Sequence, residues 1–370
     1  MPTTPTVSDP LQAALQRALA EASGWLPFDR FMALALYAPE GGYYAGGLPK
    51  FGAMPASGSD FVTAPELSPL FGRALAVQVA QALTATDTLD VWEFGAGTGA
   101  LARQVLDALT ADERFESVRY HIVELSGSLR ERQRETLQVH AGRVTWADTW
   151  PARLDGVVLG NEVLDAMPVQ LLHRVGGVWF ERGVAAEGDA WAWSDRPTTL
   201  RPPVEPEGPH DYLTEIHPQA EAFVKSLAAR LARGAAFFID YGFPEREYYH
   251  PQRHMGTLMC HQGHRADGNP LADVGAKDIT AHVNFTGIAL AAQNAGQQVL
   301  GYATQARFLI NCGLVDLASA ASVAERAQAM KLLHEHEMGE LFKVLAFAPE
   351  ASAGGWEPLG FAHGDRTHTL

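Results

Sequence analysis

A glycine-rich segment at residues 91–99 joins an apolar run to a helical pattern. It reads Val-Trp-Glu-Phe-Gly-Ala-Gly-Thr-Gly, so Glu93 precedes Gly95, Gly97 and Gly99. Glycines allow a tight turn from a strand into a helix and let a ligand lie against the backbone, where the helix N-terminus offers unpaired N–H groups. The segment therefore predicts a binding site for a nucleotide-like cofactor.

Two acids help to distinguish between the cofactors that such a loop can hold. Gly95, Gly97 and Ala100 also fit the looser dinucleotide pattern G-x-G-x-x-G/A. However, a carboxylate at Glu93 would repel a pyrophosphate, and Glu124 ends the next predicted strand, where it can accept hydrogen bonds from both ribose hydroxyls. These residues favour S-adenosylmethionine (SAM), which carries a ribose, a sulfonium and an ammonium. A tight turn that holds no ligand is the alternative.

A third acid, Asp148, follows the next predicted strand in Trp146-Ala-Asp-Thr-Trp150. Its carboxylate can meet an adenine amino group, and Trp146 or Trp150 can stack on the adenine ring. We therefore include Asp148 among the candidate cofactor residues, with an exposed turn residue as the alternative.

An amide and two carboxylates follow the fourth predicted strand, in the sequence GNEVLDAMP at residues 160–168. Ligands of open α/β sheets lie outside the carboxyl ends of the strands, so Asn161, Glu162 and Asp165 would lie where a methyl acceptor meets the sulfonium. Two carboxylates match the planar fork of a guanidinium and can orient its nitrogen. Asp240, which ends the fifth predicted strand, is expected at the same rim. Alternatively, Asp165 caps the next helix and Glu162 is solvated.

Short apolar runs alternate with helical patterns from residue 89 onward, which is typical of a parallel sheet built from βαβ units. The sequence thus predicts an α/β core at 89–370 after a helical N-terminal arm at 1–88. Insertions are expected at about 169–215, as a β-meander and a Pro-rich linker, and at about 242–280, as a substrate-side loop. The predicted strands are Leu89–Phe94, Tyr120–Glu124, Arg143–Trp146, Gly156–Gly160, Ala235–Asp240, Gln298–Tyr302 and Leu341–Phe347.

Composition predicts a soluble globular protein, since 47% of the residues are apolar and 19% are charged. The net charge is −15, and an acidic surface repels phosphate backbones and anionic lipids. We therefore expect no nucleic acid as a partner. No apolar stretch approaches the ~18 residues of a membrane-spanning helix, so we expect no membrane insertion.

Metal binding and export are not indicated by the sequence. The two cysteines are too few for a four-cysteine zinc site, and the histidines between residues 250 and 264 match no standard zinc spacing, so no metal is expected. Because no signal or transit peptide pattern is visible, a cytoplasmic location is expected.

The chain resembles the MidA-type family of SAM-dependent methyltransferases along nearly its whole length. The resemblance is carried by residues 60–68 (DFVTAPELS), 93–99 (EFGAGTG), 161–168 (NEVLDAMP) and 278–283 (DITAHV), of which the first and third are more specific than the glycine motif. It implies a class I (Rossmann-like) SAM-dependent methyltransferase fold with a seven-stranded, mostly parallel sheet.

The resemblance also implies specific cofactor contacts and an activity. The loop that contains Thr63 and Pro65 would approach the cofactor from the N-terminal arm. Mitochondrial members resemble protein-arginine methyltransferases that act on a subunit of respiratory complex I (NADH dehydrogenase) during its assembly, whereas this chain resembles the bacterial members. The loop at 260–270 and Asn284 depart from the family pattern.

The leading hypothesis is methyl transfer from SAM to a protein side-chain nitrogen, with arginine first and a complex I subunit as one candidate partner. An NAD-binding oxidoreductase and a non-catalytic assembly factor that retains a SAM pocket are the alternatives. The sequence predicts no particular oligomeric state.

Overall fold

The computed structural model describes residues 9–45, 62–188 and 190–370, and their helices and strands follow in chain order. The helices are α1 (Asp9–Glu21), α2 (Phe28–Tyr37), α3 (Ala64–Leu67), α4 (Pro69–Thr86), α5 (Ala100–Leu109), α6 (Gly127–Thr136), α7 (Pro218–Ala228), α8 (Glu245–Tyr248), α9 (Phe285–Gln293), α10 (Gln305–Asn311), α11 (Leu314–Ser319), α12 (Val323–Leu333) and α13 (Glu350–Ala353). The strands are β1 (Leu26–Pro27), β2 (Asp90–Phe94), β3 (Arg119–Val123), β4 (Val144–Ala147), β5 (Leu154–Asn161), β6 (Gln170–Val175), β7 (Val178–Glu187), β8 (Ala190–Pro197), β9 (Tyr212–Ile216), β10 (Leu231–Phe243), β11 (Met259–Gln262), β12 (Arg265–Asp267), β13 (Asp278–Thr280), β14 (Val283–Asn284), β15 (Gln297–Thr304) and β16 (Phe342–Pro349).

The main sheet is mixed, and its strand order is β15-β16-β10-β5-β2-β3-β4. The five strands from β10 to β4 run parallel, whereas β16 is antiparallel to both β10 and β15. The α/β fold is confirmed, and all seven predicted strands lie on this path. The described sheet nevertheless has eight strands, because the two-residue β14 pairs with the end of β10.

Helices cover both faces of this sheet. Along β10, successive side chains pack alternately against the helices on one face and on the other. Phe237 and Ile239 pack in one core with α4 and α5, while Ala236 and Phe238 pack in another with α7 and α9. Successive side chains of a strand point to opposite faces, so a strand that is buried on both faces is apolar at every position. The Ala-Ala-Phe-Phe-Ile run in β10 follows from this burial.

The N-terminal helices α1 and α2 pack in a third core with the two insertions. This core contains Phe28 and Phe31 from α2, Val184 from β7 and Ile279 from β13, and β1 pairs with β7. In contrast, α4 packs against α5 in the core of the main sheet. The boundary between an arm and a core at residue 88 stays a prediction.

Both insertions contain strands. In the first insertion, β6 and β7 flank Gly176 and Gly177, whose φ angles of 56° and 83° suit a two-residue hairpin. The second insertion is more ordered than the predicted loop, since it contains α8 and the antiparallel sheet β12-β11-β13. The helices of the described residues include none that is long and apolar enough to cross a membrane.

Candidate active site

A cavity of about 890 Å³ opens at the carboxyl ends of β2, β3 and β5. Most of its described lining comes from the loops after these strands, from the region of α2 and α3, and from β13, with Trp150 and Phe223 added from elsewhere. Most of the predicted site residues meet there, as the parallel strand order requires. The predicted residues that line it are Thr63, Pro65, Glu93, Gly95, Gly97, Glu124, Asn161, Glu162 and Asp165.

The described lining of this cavity is strongly acidic. It holds six carboxyl groups and includes no Lys, Arg or His. Low-dielectric walls of one charge sign attract ligands of the opposite sign. The cavity therefore suits cationic ligands and disfavours a pyrophosphate. The acids are Glu66, Glu93, Glu124, Glu162, Asp165 and Asp278.

The glycine loop is a narrow cradle between β2 and α5. Gly95 and Gly97 have φ angles of 66° and 51°, a left-handed conformation that favours glycine. A Cβ atom on Gly95 would lie 2.8 Å from Val163 Cγ2. The Gly97 carbonyl accepts a hydrogen bond from Gln133 Nε2 at 3.0 Å. Gly99 is not in the described lining, and it is the N-cap residue that precedes α5.

The two acids predicted to hold SAM lie at the two expected strand ends. Glu93 Oε2 accepts a hydrogen bond from the Tyr120 hydroxyl at 2.7 Å, and burial raises the pKa of Glu93 to about 7. Glu124 accepts hydrogen bonds from Ser126 N at 2.8 Å and from Gln133 Nε2 at 3.2 Å, and burial raises its pKa as well. A carboxylate has about four lone-pair sites, so Glu124 can also accept hydrogen bonds from ribose hydroxyls.

The structure does not bring Asp148 to the cavity. Its side chain is 79% exposed and pairs with Arg130, with 2.5 Å between Oδ1 and Nη2. Trp146 is directed elsewhere too, because its Nε1 donates to Gln133 Oε1 at 2.9 Å. Trp150 does line the cavity, where its ring packs edge-on against Phe94. Of the predicted adenine contacts, the structure therefore supports Trp150 alone.

Glu162 lies in the turn after β5 with a φ of 54°, an uncommon conformation for a residue other than glycine. Its Oε1 accepts hydrogen bonds from Asn161 Nδ2 at 3.0 Å and from Ala64 N at 3.3 Å. Burial, followed by the neighbouring charge of Asp165, raises the pKa of Glu162 to about 8. The side chain is thus held in the cavity by α3 and by its own neighbour.

Asp165 and Asn161 each present a buried oxygen without a hydrogen-bond partner in the described structure. Asp165 is 5% exposed, and its other oxygen, Oδ2, accepts a hydrogen bond from the Tyr241 hydroxyl at 2.6 Å. Burial raises the pKa of Asp165 to about 6. Buried acceptors without donors cost free energy. Both oxygens therefore favour a ligand that carries N–H groups.

Asp240 lies beneath this turn and does not line the cavity, so the expectation that it reaches the rim is wrong. Its Oδ2 accepts hydrogen bonds from the backbone N–H groups of Val163, Leu164 and Asp165 at 3.2, 2.9 and 3.3 Å. The side chain is 1% exposed, and burial raises its pKa well above the usual range. Asp240 therefore positions the turn and does not touch a ligand in the cavity.

The short helix α3 joins the glycine loop to the acceptor end of the cavity. The Thr98 hydroxyl donates to Glu66, and Gln104 Nε2 donates to the Pro65 carbonyl at 2.7 Å. Ala64 N donates to Glu162, as described above. Thr63 and Pro65 thus lie at the cavity as the resemblance implies, while residues 60 and 61 of the same motif lie outside the described residues.

Tyr37, Tyr44 and Asp278 are among the lining residues that the site prediction missed. The Tyr44 hydroxyl donates to Asp278 Oδ1 at 2.9 Å, and the two tyrosine rings stack with centroids 5.4 Å apart. Tyr37 also donates to the Ala166 carbonyl at 2.8 Å. The DITAHV block beginning at Asp278 marks one of these residues in the sequence, but its spacing does not indicate a contact with Tyr44.

The glycine cradle, the acids at two strand ends and the fold together define a SAM-dependent methyltransferase. The chain belongs to the family described as "Putative S-adenosyl-L-methionine-dependent methyltransferase", whose model matches residues 74–303. It is similar to a solved protein from Burkholderia thailandensis bound to S-adenosyl-homocysteine, with 49% identity and a TM-score of 0.92, covering 98% of this chain and 97% of that one.

Curated relatives extend the same similarity to mitochondrial proteins. "Protein arginine methyltransferase NDUFAF7, mitochondrial" from Danio rerio is 27% identical, over 87% of this chain and 83% of that protein. The Caenorhabditis elegans homologue is 26% identical, over 93% and 89%. These findings confirm the predicted enzyme class and the predicted cofactor, and they do not favour an NAD-dependent oxidoreductase.

Proposed function

We propose that this methyltransferase modifies an arginine side chain of a protein. The observation that carries the proposal is the cavity itself, which holds six carboxyl groups in its described lining and no basic residue. Its acceptor end adds two buried oxygens that lack donors among the residues the structure describes. The names of the curated relatives support the same acceptor. We propose a subunit of respiratory complex I as the first candidate substrate to examine. We also propose that the protein is located in the cytoplasm.

A guanidinium suits the acceptor end better than an ammonium does. It carries five N–H donors in a rigid plane, whereas an ammonium carries three on a single nitrogen. The Oδ1 atoms of Asn161 and Asp165 have no hydrogen-bond partner among the described residues, and Glu162 adds a third acceptor group to the cavity lining. A planar fork can reach separate acceptors at once, so fewer of them stay unsatisfied.

The chain's residues would bind, orient and deprotonate the acceptor. SAM, when bound, would supply a methyl group on a sulfonium: a bond from the acceptor nitrogen to the methyl carbon would form as the carbon–sulfur bond breaks, and S-adenosyl-homocysteine would leave. Glu93 and Glu124 would hold the ammonium and ribose ends of the cofactor, while Glu162 and Asp165 would align the guanidinium. As the nitrogen gains the methyl group it loses a proton, which Glu162 accepts. The ligand-free pKa of Glu162 is about 8, and the positive charge of a bound acceptor would lower it, so that the ionised carboxylate can act as a general base near neutral pH.

We also propose that the seven-strand path of the main sheet is the class I (Rossmann-like) methyltransferase sheet. The parallel strands and the reversal of order beside β2 support this assignment, because ligands of open α/β sheets lie where the strand order reverses. The glycine loop follows that strand.

Calorimetry with S-adenosyl-homocysteine tests the cofactor half of the proposal. We expect the wild-type protein to bind it and to be stabilised against heat by it, with no stabilisation by NADH. Gly97→Val should abolish binding, because Gly97 lines the cavity and valine is strained at a φ of 51°. Gly142→Ala is the matched control, since an added Cβ there meets nothing within 4 Å. Stabilisation by NADH alone would contradict the proposal.

Labelled SAM tests the acceptor half. We expect the protein to transfer label to an arginine of a protein in lysate from a deletion strain, identified by mass spectrometry. Glu162→Gln should reduce transfer at least about 100-fold, because it removes the base, and should change S-adenosyl-homocysteine affinity less than about twofold. Label on lysine only would contradict arginine as the acceptor. Normal cofactor binding without any transfer would support the assembly-factor alternative.

A further inference from the structure

We propose that Asp278, held by Tyr44, is a third acceptor-binding carboxylate that makes the pocket selective for the guanidinium of arginine over the ammonium of lysine. The inference rests on the proposed function and adds a specificity residue to it. Asp278 comes from β13 in the second insertion, more than a hundred residues after the turn that carries Glu162 and Asp165.

Asp278 belongs to the same cavity as the other two acids. It lines the cavity, is 2% exposed, and its charge contributes to the raised pKa of Glu162. The backbone ties the two regions together as well, since Ala281 N donates to the Asp165 carbonyl at 2.9 Å. Asp278 can therefore act on a ligand that Glu162 and Asp165 hold.

The position of Asp278 is fixed from two sides. Its backbone pairs with His261 of β11 in the small sheet, and the Tyr44 hydroxyl donates to its Oδ1 at 2.9 Å. The Lys277 ammonium lies 2.7 Å from Asp267, and Lys277 is absent from the described lining. A carboxylate held in this way is preorganised to accept a donor from a ligand.

The acceptor end is more than a cluster of acids. The buried Oδ1 atoms of Asp165 and Asn161 lack a partner among the described residues, and both residues line the cavity with no more than 8% exposure. Asp278 therefore adds an acceptor beside groups that already require donors. A guanidinium has enough N–H groups for all of them, whereas the three donors of a lysine ammonium diverge from one atom.

Tyr37 and Tyr44 indicate how the side chain would approach. Their rings stack at an interplanar angle of 16°, and Tyr37 is 44% exposed, so the pair extends from the solvent side of the cavity to Asp278. Flat aromatic faces suit both the methylene stem of arginine and its planar cation. The same tyrosine that orients Asp278 thus contributes to the wall along which the substrate would enter.

Binding of two small probes to the complex with S-adenosyl-homocysteine tests the inference. The probes are the Nα-acetyl methylamides of arginine and of lysine, titrated by NMR. We expect the wild-type complex to prefer the arginine probe about tenfold or more, and Asp278→Asn to reduce this preference to about threefold or less. The oxygen of the introduced amide can still accept the Tyr44 hydrogen bond, so the change removes mainly the charge. S-adenosyl-homocysteine affinity should change less than about twofold.

Two further variants separate selectivity from folding. Tyr44→Phe removes only a hydroxyl and should reduce the arginine preference about two- to threefold, so it tests the inference even if Asp278→Asn does not fold. Glu247→Gln removes an exposed acid from the same insertion and should keep the wild-type preference.

The outcomes distinguish the role of Asp278 from the proposed function. A wild-type arginine preference that survives both in Asp278→Asn and in Tyr44→Phe would overturn the role of Asp278 alone. A wild-type complex that prefers the lysine probe, or that binds neither probe, would overturn the arginine proposal together with it.

Discussion

The acids of the cavity gain protons when the protein folds without ligands. Burial raises the pKa of Glu162 to about 8, of Glu93 to about 7 and of Asp165 to about 6. Near neutral pH, part of the cavity is therefore protonated until a cation enters. A cationic acceptor reverses this, because an opposite charge favours the ionised carboxylate. Binding of the acceptor should thus release protons to the solvent.

The same pKa shifts predict how stability depends on pH. Carboxyl groups whose pKa is higher in the folded chain stabilise it fully at a pH below their unfolded values, and this contribution is lost as the pH rises through the folded values. The contribution of Glu93, Glu162 and Asp165 to the melting temperature of the ligand-free protein should therefore fall between about pH 5 and pH 8. In Glu162→Gln the fall should be smaller, because glutamine does not ionise. Thermal unfolding in a series of buffers measures both.

Glu247→Gln is the matched control for this pH dependence, since Glu247 is exposed and should leave the wild-type slope unchanged. A Glu162→Gln variant that loses stability as steeply as the wild type would show that Glu162 does not carry the proton.

At the scale of elements, the turn after β5 depends on a side chain from the neighbouring strand. One oxygen of Asp240 in β10 accepts hydrogen bonds from three backbone N–H groups of this turn. Its other oxygen accepts a hydrogen bond from Tyr241 N at 2.9 Å. Glu162 and Asp165 both belong to this turn. Strand β10 therefore controls the acceptor end of the cavity without touching a ligand.

Asp240→Asn should disturb this arrangement, because the new NH₂ group would face backbone donors at one of the two oxygen positions. We expect the free energy of unfolding to fall by about 1–3 kcal/mol and the KM for the acceptor to rise, with a smaller change in S-adenosyl-homocysteine affinity. Denaturant unfolding and steady-state kinetics measure these effects.

Asp211→Asn provides the control for Asp240→Asn. Asp211 is an exposed carboxylate that also accepts a backbone hydrogen bond, from Gly176 N at 3.0 Å, so its change should be nearly neutral. If Asp240→Asn matched it in stability and in acceptor KM, the positioning role would be refuted.

The elements also show how far sequence reasoning reaches. Periodicity and glycines locate β2, β3, β5 and β10, and parallel strands bring their ends together, so the acids at Glu93, Glu124 and Glu162 could be predicted. The contact between Tyr44 and Asp278 joins residues 234 positions apart, and it depends on how the arm packs on the second insertion. No local pattern contains that information. The prediction that Asp148 lies at the cofactor differs from the structure, because its carboxylate pairs with Arg130.

For the whole molecule, charge is the property that should govern encounters with substrate. The chain carries a net charge of −15, and the cavity lining concentrates acids at one edge of the sheet. These acids would attract a cationic protein segment. Salt shortens the distance over which the attraction acts, because the Debye length falls from about 10 Å at 0.1 M ionic strength to about 3 Å at 1 M.

We therefore expect the KM for the protein acceptor to rise at least about fivefold between about 0.05 and 0.5 M sodium chloride. S-adenosyl-homocysteine has no net charge near neutral pH, so its affinity should change less than about twofold and serves as the internal control. Kinetics and calorimetry over the salt series measure the two responses. An acceptor KM that does not respond to salt would exclude electrostatic attraction as a main contribution.

One cavity reaches from the glycine loop to the Asp165 turn, and this continuity bears on inhibition. An adenosine unit and a guanidine joined by a short linker would occupy both ends at once, and tethering avoids losing the translational freedom of a second molecule. The six acids favour positive charge along the whole compound, whereas the phosphates of common nucleotides would be repelled. Such a compound would therefore distinguish this enzyme from the many cellular proteins that bind adenine nucleotides.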